Sequence, residues 1–237
     1  MTRAGAYFLS FASVAWALCF VALQRFGTWT PFAFVGVVLA IVAVSGRFVP
    51  RSLLRPSLVR TAWGIAGGAL MVAGTHLFYR VVVILSPPVG EATRQLLTLL
   101  NVADFSPGVR MLLIVVIASC EEVLFRGLLP GVARVASRLP HVPTRGELAR
   151  ILAFAVAYAL TTLPLGSPLL ALCALICGSL WGLMRVAAGS LVVPVLAHVL
   201  WDLGVLLLWP LPAVPPDARL PVSAAAAVVE RPLAVAR

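Results

Sequence analysis

Two adjacent glutamates lie inside a long apolar stretch and are the residues of this chain best suited to chemistry. Glu121 and Glu122 follow the apolar run 111–120, and Arg126 comes shortly after them. The chain has only 8 acidic residues, so two side by side in such a run need a reason. An ionisable side chain at bilayer depth costs roughly 3 kcal/mol on insertion scales. A carboxyl group kept there is therefore a candidate general acid or base.

Helical spacing predicts different partners for the two glutamates. Residues four apart share a helix face, so Glu122 and Arg126 can form an ion pair that lowers the cost of burying both. Glu121 is five residues from Arg126 and points about 140° away from it on an α-helix. We therefore predict that Glu121 is the reactive carboxylate and Glu122 the paired one. The alternative that stays open is that both serve one buried ion-pair network holding helices together.

A second polar pair lies in the last apolar run of the sequence. His198 and Asp202 are four residues apart and so share a helix face, and Pro194 can kink the helix one turn earlier. Such a pair alone is typical of a hydrogen bond between helices. Counted along the apolar runs, however, His198 and Glu121 fall at similar depths near the middle of the bilayer. The two groups can therefore meet, and we expect them to form one site.

The elements that must position these side chains are membrane helices. Hydrophobic residues make up 62% of the 237 residues, charged residues 11%, and the mean hydropathy is +1.06. Because a helix needs about 20 residues to cross a bilayer, the chain has room for six to eight spans. The prediction is an all-α, polytopic membrane bundle of about seven transmembrane helices. The apolar segments are 5–23, 31–44, 58–85, 109–132, 149–163, 169–183 and 191–208.

The predicted domain organisation is simple. Residues 1–212 are expected to form one transmembrane helical domain whose site-bearing core is about 109–208. Residues 213–237 form a Pro/Ala-rich tail that is expected to be poorly ordered. Two small-residue spacings, Gly64 with Gly68 and Gly178 with Gly182, are typical of close helix packing.

The positive charge of the chain indicates a membrane topology and not a nucleic-acid partner. All basic residues are arginines, and two clusters lie between apolar segments, at 47–60 and at 134–150. The positive-inside rule places both connections in the cytoplasm, which requires a cytoplasmic N-terminus and an external end of the last span. The connection 86–108 then lies outside, and an interfacial helix is one form it could take. We predict a multi-pass protein of a bacterial cell (inner) membrane, the bacterial origin being suggested by the absence of lysine.

Two stretches of the sequence resemble motifs of the CPBP family of intramembrane proteases, which includes CAAX prenyl endopeptidases and abortive-infection-type proteases, and a third stretch corresponds to the remaining motif with one departure. The run Glu-Glu-Val-Leu-Phe-Arg at 121–126 is similar to the family's Glu-Glu-x-x-x-Arg signature. His198 followed by Asp202 looks like its last motif, a His with Asn or Asp four residues later. The family's middle motif, Phe-x-x-x-His, corresponds to Phe154 through Tyr158, with tyrosine in place of histidine. The resemblance covers about 110–203.

The resemblance implies a role for each matching residue. Glu121 would activate the attacking water, supported by Glu122 and Arg126, while His198 and Asp202 would polarise the scissile carbonyl or stabilise the oxyanion. Tyr158 would give Glu121 a hydrogen-bond donor in place of the histidine. A metal site would want that histidine, so no metal and no cofactor are predicted.

The function predicted from the resemblance is cleavage of a peptide bond near the membrane, by glutamate-activated water, in a membrane-tethered protein. A C-terminal sorting or anchor segment is one such substrate, as in sortase-like branches such as myxosortase. The lipid bilayer is the other expected partner, and nucleic acid is not expected. Two alternatives stay open. The first is a non-catalytic membrane binding or immunity protein, with Tyr158 marking lost protease chemistry. The second is a proton-coupled transporter, since carboxylates and a histidine can relay protons.

Overall fold

The computed structural model describes residues 2–100, 105–129 and 141–211, and this part of the chain is helical without strands. The helices are α1 (Arg3–Phe26), α2 (Thr30–Ser45), α3 (Leu58–Leu85), α4 (Pro87–Leu100), α5 (Pro107–Glu121), α6 (Arg145–Thr162), α7 (Pro168–Ala188) and α8 (Val192–Asp202). Short 3-10 turns occupy Arg51–Leu54 and Leu163–Leu165. Two π-helical turns, Glu122–Arg126 and Leu203–Leu208, extend α5 and α8.

The all-α prediction is confirmed, and each predicted apolar segment corresponds to one helix. In the described residues, α1, α3, α6 extended to Leu165, and α7 are long and apolar enough to cross a membrane. Thr30–Ser45 and Val192–Leu208 are shorter apolar helices. The chain is therefore a multi-pass membrane protein, whereas a count of seven spans remains a prediction. The end of the fourth segment, Arg134, Arg138 and the tail 213–237 lie outside the described residues.

The helix starts follow ordinary capping rules. Thr2, Ser57, Ser106 and Ser167 each accept a hydrogen bond from a backbone N–H in the first turn of the helix they precede. At α6, Thr144 and Glu147 form a full capping box, in which each side chain bonds the other's backbone N–H. These local signals mark where α1, α3, α5, α6 and α7 begin.

Glycines let two pairs of helices approach closely. A Cβ on Gly64 would lie 2.7 Å from Leu196 Cβ, and one on Gly68 would lie 2.8 Å from Leu200 Cβ, so α3 packs directly on α8. A Cβ on Gly182 would lie 2.7 Å from Ile151 Cγ2, which brings α7 against α6. The packing role predicted for these small-residue spacings is confirmed.

The connections gather at two ends of the bundle. At one end, Leu191 N donates to Leu53 O at 2.9 Å and His141 N donates to Ala187 O at 3.0 Å. We call this the arginine-rich end, because it also holds the start of α1 and the connection with Arg47, Arg51, Arg55 and Arg60. At the opposite end lie the α1–α2 connection, α4 and the α6–α7 connection.

The helix α4 occupies the connection that the sequence places outside the membrane. It is amphipathic: Gly90, Thr93 and Leu96 are buried, whereas Glu91 and Arg94 are exposed and form an ion pair. An interfacial helix was one of the forms predicted for this connection, and the connection is helical. Its buried face forms a wall of the cavity that Glu121 also lines.

Candidate active site

The glutamate pair lies where the backbone changes from an α-helix to a π-helical turn. α5 ends at Glu121, and Gly127 N donates to Glu122 O at 2.9 Å, five residues back. The turn is crowded, because a Cβ on Gly127 would lie 2.2 Å from Val123 O and 2.9 Å from Val49 Cγ2. Single π turns inside α-helices are frequent at functional sites because they redirect side chains. The sequence spacing alone predicted a continuous α-helix here.

Glu122 is the centre of a buried ion-pair network. Its Oε1 lies 3.2 Å from Arg126 Nη1, which is the pair predicted from the spacing, and 2.9 Å from His198 Nδ1. Glu122 is fully buried, and Arg126 and His198 are almost so. The contact with His198 was not predicted. The 2.9 Å distance is that of a hydrogen bond, which His198 donates from Nδ1 when that nitrogen carries a proton.

Arg126 lies between two aromatic faces. Its Cζ is 4.6 Å from the ring centroid of Tyr158 and 5.2 Å from that of Trp181. Gly178 makes room for the guanidinium, since a Cβ there would approach Nη2 to 2.8 Å. Cation–π contacts in a desolvated site contribute about 2 kcal/mol, and they help to hold this cation in apolar surroundings.

Glu121 has a different set of partners. Trp16 Nε1 donates to its Oε1 at 2.9 Å, and Tyr158 Oη donates to its Oε2 at 2.9 Å. His198 Nε2 lies 3.6 Å from the same Oε2 and 3.4 Å from Asp202 Oδ2. The imidazole therefore bridges the two glutamates, with Nδ1 on Glu122 and Nε2 between Glu121 and Asp202.

The charges of this cluster do not balance. Three carboxyl groups, Glu121, Glu122 and Asp202, surround one guanidinium and one imidazole. Even with His198 protonated, two cations can neutralise only two of the three carboxylates. One carboxyl group is therefore free to exchange a proton with a bound molecule, as a general base or acid does.

The cluster forms the floor of a cavity of about 230 Å³. Glu121, Tyr158, His198 and Asp202 all contribute to its lining, and the walls above them are mainly apolar. Asp202, with 18% of its side chain exposed, is the most accessible of the three carboxyl groups. Ligand sites usually combine apolar walls with a few converging polar groups, and this cavity has that form.

All six predicted site residues meet in this cluster, and two tryptophans that sequence reasoning missed join them. Trp16 reaches Glu121 from α1, and the Trp181 ring stacks on His198 with centroids 3.6 Å apart. A buried indole needs a partner for its N–H, so a tryptophan in an apolar segment is a weak signal of a polar neighbour. The sequence gives no indication of which neighbour that is.

Within 2–100, 105–129 and 141–211, no three His, Cys, Asp or Glu side chains are placed to hold one metal ion. The cysteines there are free thiols.

The fold and the site define a class: a multi-pass helical membrane protein with a buried glutamate–histidine centre under an apolar cavity. Residues 104–204 match a family model described as Rce1-like, type II CAAX prenyl endopeptidase Rce1-like. This match confirms, over that segment, the predicted resemblance to the CPBP proteases. The matched segment contains every predicted site residue but not Trp16. No curated protein and no solved structure matches the chain.

Proposed function

We propose that this protein is an intramembrane endopeptidase that hydrolyses a peptide bond with water activated by Glu121. The family match supports a peptidase in general terms. The observation that carries the proposal is the position of Glu121 in the cavity lining, with His198 Nε2 3.6 Å from its Oε2. A general base and a second polarising group are thus close enough to act on one substrate carbonyl.

In the proposed reaction, Glu121 transfers the proton and its neighbours stabilise charge or hold it in place. The Glu121 carboxylate takes a proton from water as the water oxygen bonds to the scissile carbonyl carbon. Negative charge develops on the carbonyl oxygen, where the Nε2–H of protonated His198 donates a hydrogen bond. Glu121 then passes its proton to the departing amine as the carbon–nitrogen bond breaks. Trp16 and Tyr158 hold the carboxylate in position.

Glu122 and Arg126 act through His198 in this scheme. Glu122 accepts the Nδ1–H at 2.9 Å, which fixes the orientation of the imidazole and presents Nε2 to the cavity. Arg126 balances the charge of Glu122. Asp202, 3.4 Å from Nε2, favours the protonated imidazole that the oxyanion requires.

A cleavage assay in proteoliposomes tests the proposal. The purified chain is incubated with membrane-tethered reporter proteins, and products are followed by gel shift and mass spectrometry. Glu121→Gln is expected to abolish cleavage, because the amide cannot accept the proton of water. Glu91→Gln, on the exposed face of α4, is the matched control and is expected to retain it. Full cleavage by a folded Glu121→Gln variant would show that the assignment is wrong.

A second candidate function is a non-catalytic binding or immunity protein of the same fold. Both oxygens of Glu121 already accept a hydrogen bond from Trp16 or Tyr158, an arrangement that also suits a purely structural carboxylate. If this candidate is correct, the Glu121→Gln variant keeps the wild-type phenotype in cells, whereas a packing variant such as Gly68→Leu loses it. The two functions therefore predict opposite outcomes for one variant.

The proposal also includes a cellular location and a class of substrate. A bacterial inner membrane is the proposed location, which fractionation of cells expressing a tagged chain tests. A C-terminal sorting or anchor segment is the proposed substrate, by analogy with sortase-like branches. Comparing the masses of secreted and lipidated proteins between wild-type and Glu121→Gln cells would identify it.

A further inference from the structure

The cavity is built from one end of the bundle. α1 contributes Phe20 and Leu23 from its last two turns, and α3 contributes only residues from Thr75 onward. α6 contributes only Tyr158, which lies in its last turns. α4 lies across the same end and lines the cavity with its apolar face. The lining thus comes from the parts of the helices that lie away from the arginine-rich end.

The opposite direction is sealed by packed side chains. Leu124 and Phe125, which follow the glutamate pair, are 0% and 1% exposed. Val49, Leu53 and Leu191 close the bundle beyond them, and Leu191 N and Ser190 Oγ both donate to Leu53 O, at 2.9 and 3.3 Å. None of these residues lines the cavity. Entry to the site from the arginine-rich end would require this layer to open.

Charge identifies which side of the membrane each end faces. The arginine-rich end is the end closed by this packed layer, and we call it the sealed end; the opposite end, which lines the cavity, is the cavity end. In the sequence up to the end of α8, arginine is concentrated in the termini and connections of the sealed end. Among the described residues, the sealed end holds Arg3, Arg47, Arg51, Arg55, Arg60, Arg145 and Arg150, and the cavity end holds Arg25, Arg80, Arg94 and Arg110. Of the latter, Arg94 is paired with Glu91. The positive-inside rule therefore places the sealed end in the cytoplasm and the cavity end outside.

We propose that the site opens to the outer face of the membrane and takes an apolar peptide segment, which it cuts near that segment's external end. This inference rests on the proposed function and specifies its substrate. The apolar walls favour an anchor or sorting segment over a charged peptide. A prenylated tail presented in the cytoplasm is not the substrate, because the sealed layer separates it from Glu121.

The position of the cut tests the inference directly. Two membrane-tethered reporters carry the same apolar segment, one with its N-terminus outside and the other with its N-terminus in the cytoplasm. Both are co-expressed with the protein in cells, where the orientation of each is fixed, and the products are located by mass spectrometry. The cut is expected in the external third of the segment in both reporters. Cuts in the cytoplasmic third overturn the inference while leaving proteolysis established.

Thiol labelling tests the opening without any need for activity. Cys173 lines the cavity, so a variant with Cys19, Cys120 and Cys177 changed to alanine leaves it as the single thiol. A charged, membrane-impermeant methanethiosulfonate is added to right-side-out and to inside-out vesicles. Cys173 is expected to react only in right-side-out vesicles. In the cysteine-free background, Ser52→Cys, exposed at the arginine-rich end, is expected to react only in inside-out vesicles.

The two experiments separate the possible failures. If no reporter is cut even in detergent, the proposed function fails, and the labelling of Cys173 still decides which side the cavity faces. If Cys173 reacts from the same side as Ser52→Cys, or does not react in right-side-out vesicles, the outward opening is wrong whatever the activity.

Discussion

Tyr158→Phe is the sharpest test of the site, because the chain has tyrosine where the related proteases have histidine. The substitution removes only the hydroxyl that donates to Glu121 Oε2 at 2.9 Å. It keeps the ring, which lies 4.6 Å from Arg126 Cζ and 4.9 Å from the ring of Phe125. The packing of the site and the cation–π contact should therefore persist.

The size of the effect follows from the type of bond lost. A hydrogen bond to a charged group contributes about 1.5–3 kcal/mol. If all of this serves to hold the general base in position, the rate falls by about 10- to 150-fold, since each 1.36 kcal/mol is tenfold. The loss should appear in kcat and not in KM, because the hydroxyl touches Glu121 and not the apolar walls that we propose bind substrate.

The assay is reporter cleavage in proteoliposomes at several substrate concentrations, with thermal unfolding in detergent as the check on folding. Tyr7→Phe is the matched control, since Tyr7 is 74% exposed on α1 and its variant should behave as wild type. A kcat within twofold of wild type would show that Tyr158 does not position Glu121. A faster Tyr158→Phe variant would also refute the reasoning, because the bond would then only weaken the base.

Three further predictions concern the neighbours of the glutamate pair. Trp16→Phe removes the N–H that donates to Glu121 Oε1 and should lower kcat by about tenfold or more. An unchanged kcat would show that Trp16 does not position Glu121. Gly127→Ala should destabilise the protein by about 1–3 kcal/mol because the π turn is crowded. The control is Gly146→Ala on α6, where a Cβ meets open space, and it should leave stability unchanged or slightly raised. Equal denaturant midpoints for Gly127→Ala and Gly146→Ala would contradict the reasoning. Glu122→Gln removes the carboxylate that faces Arg126 and His198, and it should lower the free energy of unfolding by about 3–5 kcal/mol. An unchanged unfolding temperature would show that the fold does not need the charge of Glu122.

The sequence predicted the local half of the site well. Glu122 pairs with Arg126, and His198 lies near Asp202, because four-residue spacing on a helix is set by geometry that any helix shares. Similar depth in the membrane also predicted that Glu121 and His198 could meet. These inferences needed only helix rise, helix turn and hydropathy.

The sequence could not predict contacts that depend on how helices rotate against one another. Trp16 is 105 residues from Glu121, and nothing in its own segment indicates that its N–H faces a carboxylate. His198 contacts both Glu122 and Glu121, and the backbone there forms a π turn where the spacing predicted an α-helix. The direction of the cavity likewise emerges only when the helix ends are assembled.

The tyrosine can be understood from the charge of the cluster. Glu121 is held by an indole N–H and a phenol O–H, which donate hydrogen bonds without adding positive charge. A histidine at position 158 could add a third cation and balance all three carboxylates. With tyrosine there, only Arg126 and His198 oppose them, and one carboxyl group is left without a cationic partner. A general base or acid needs a carboxyl group that can change its protonation state, so the departure from the family motif is compatible with catalysis.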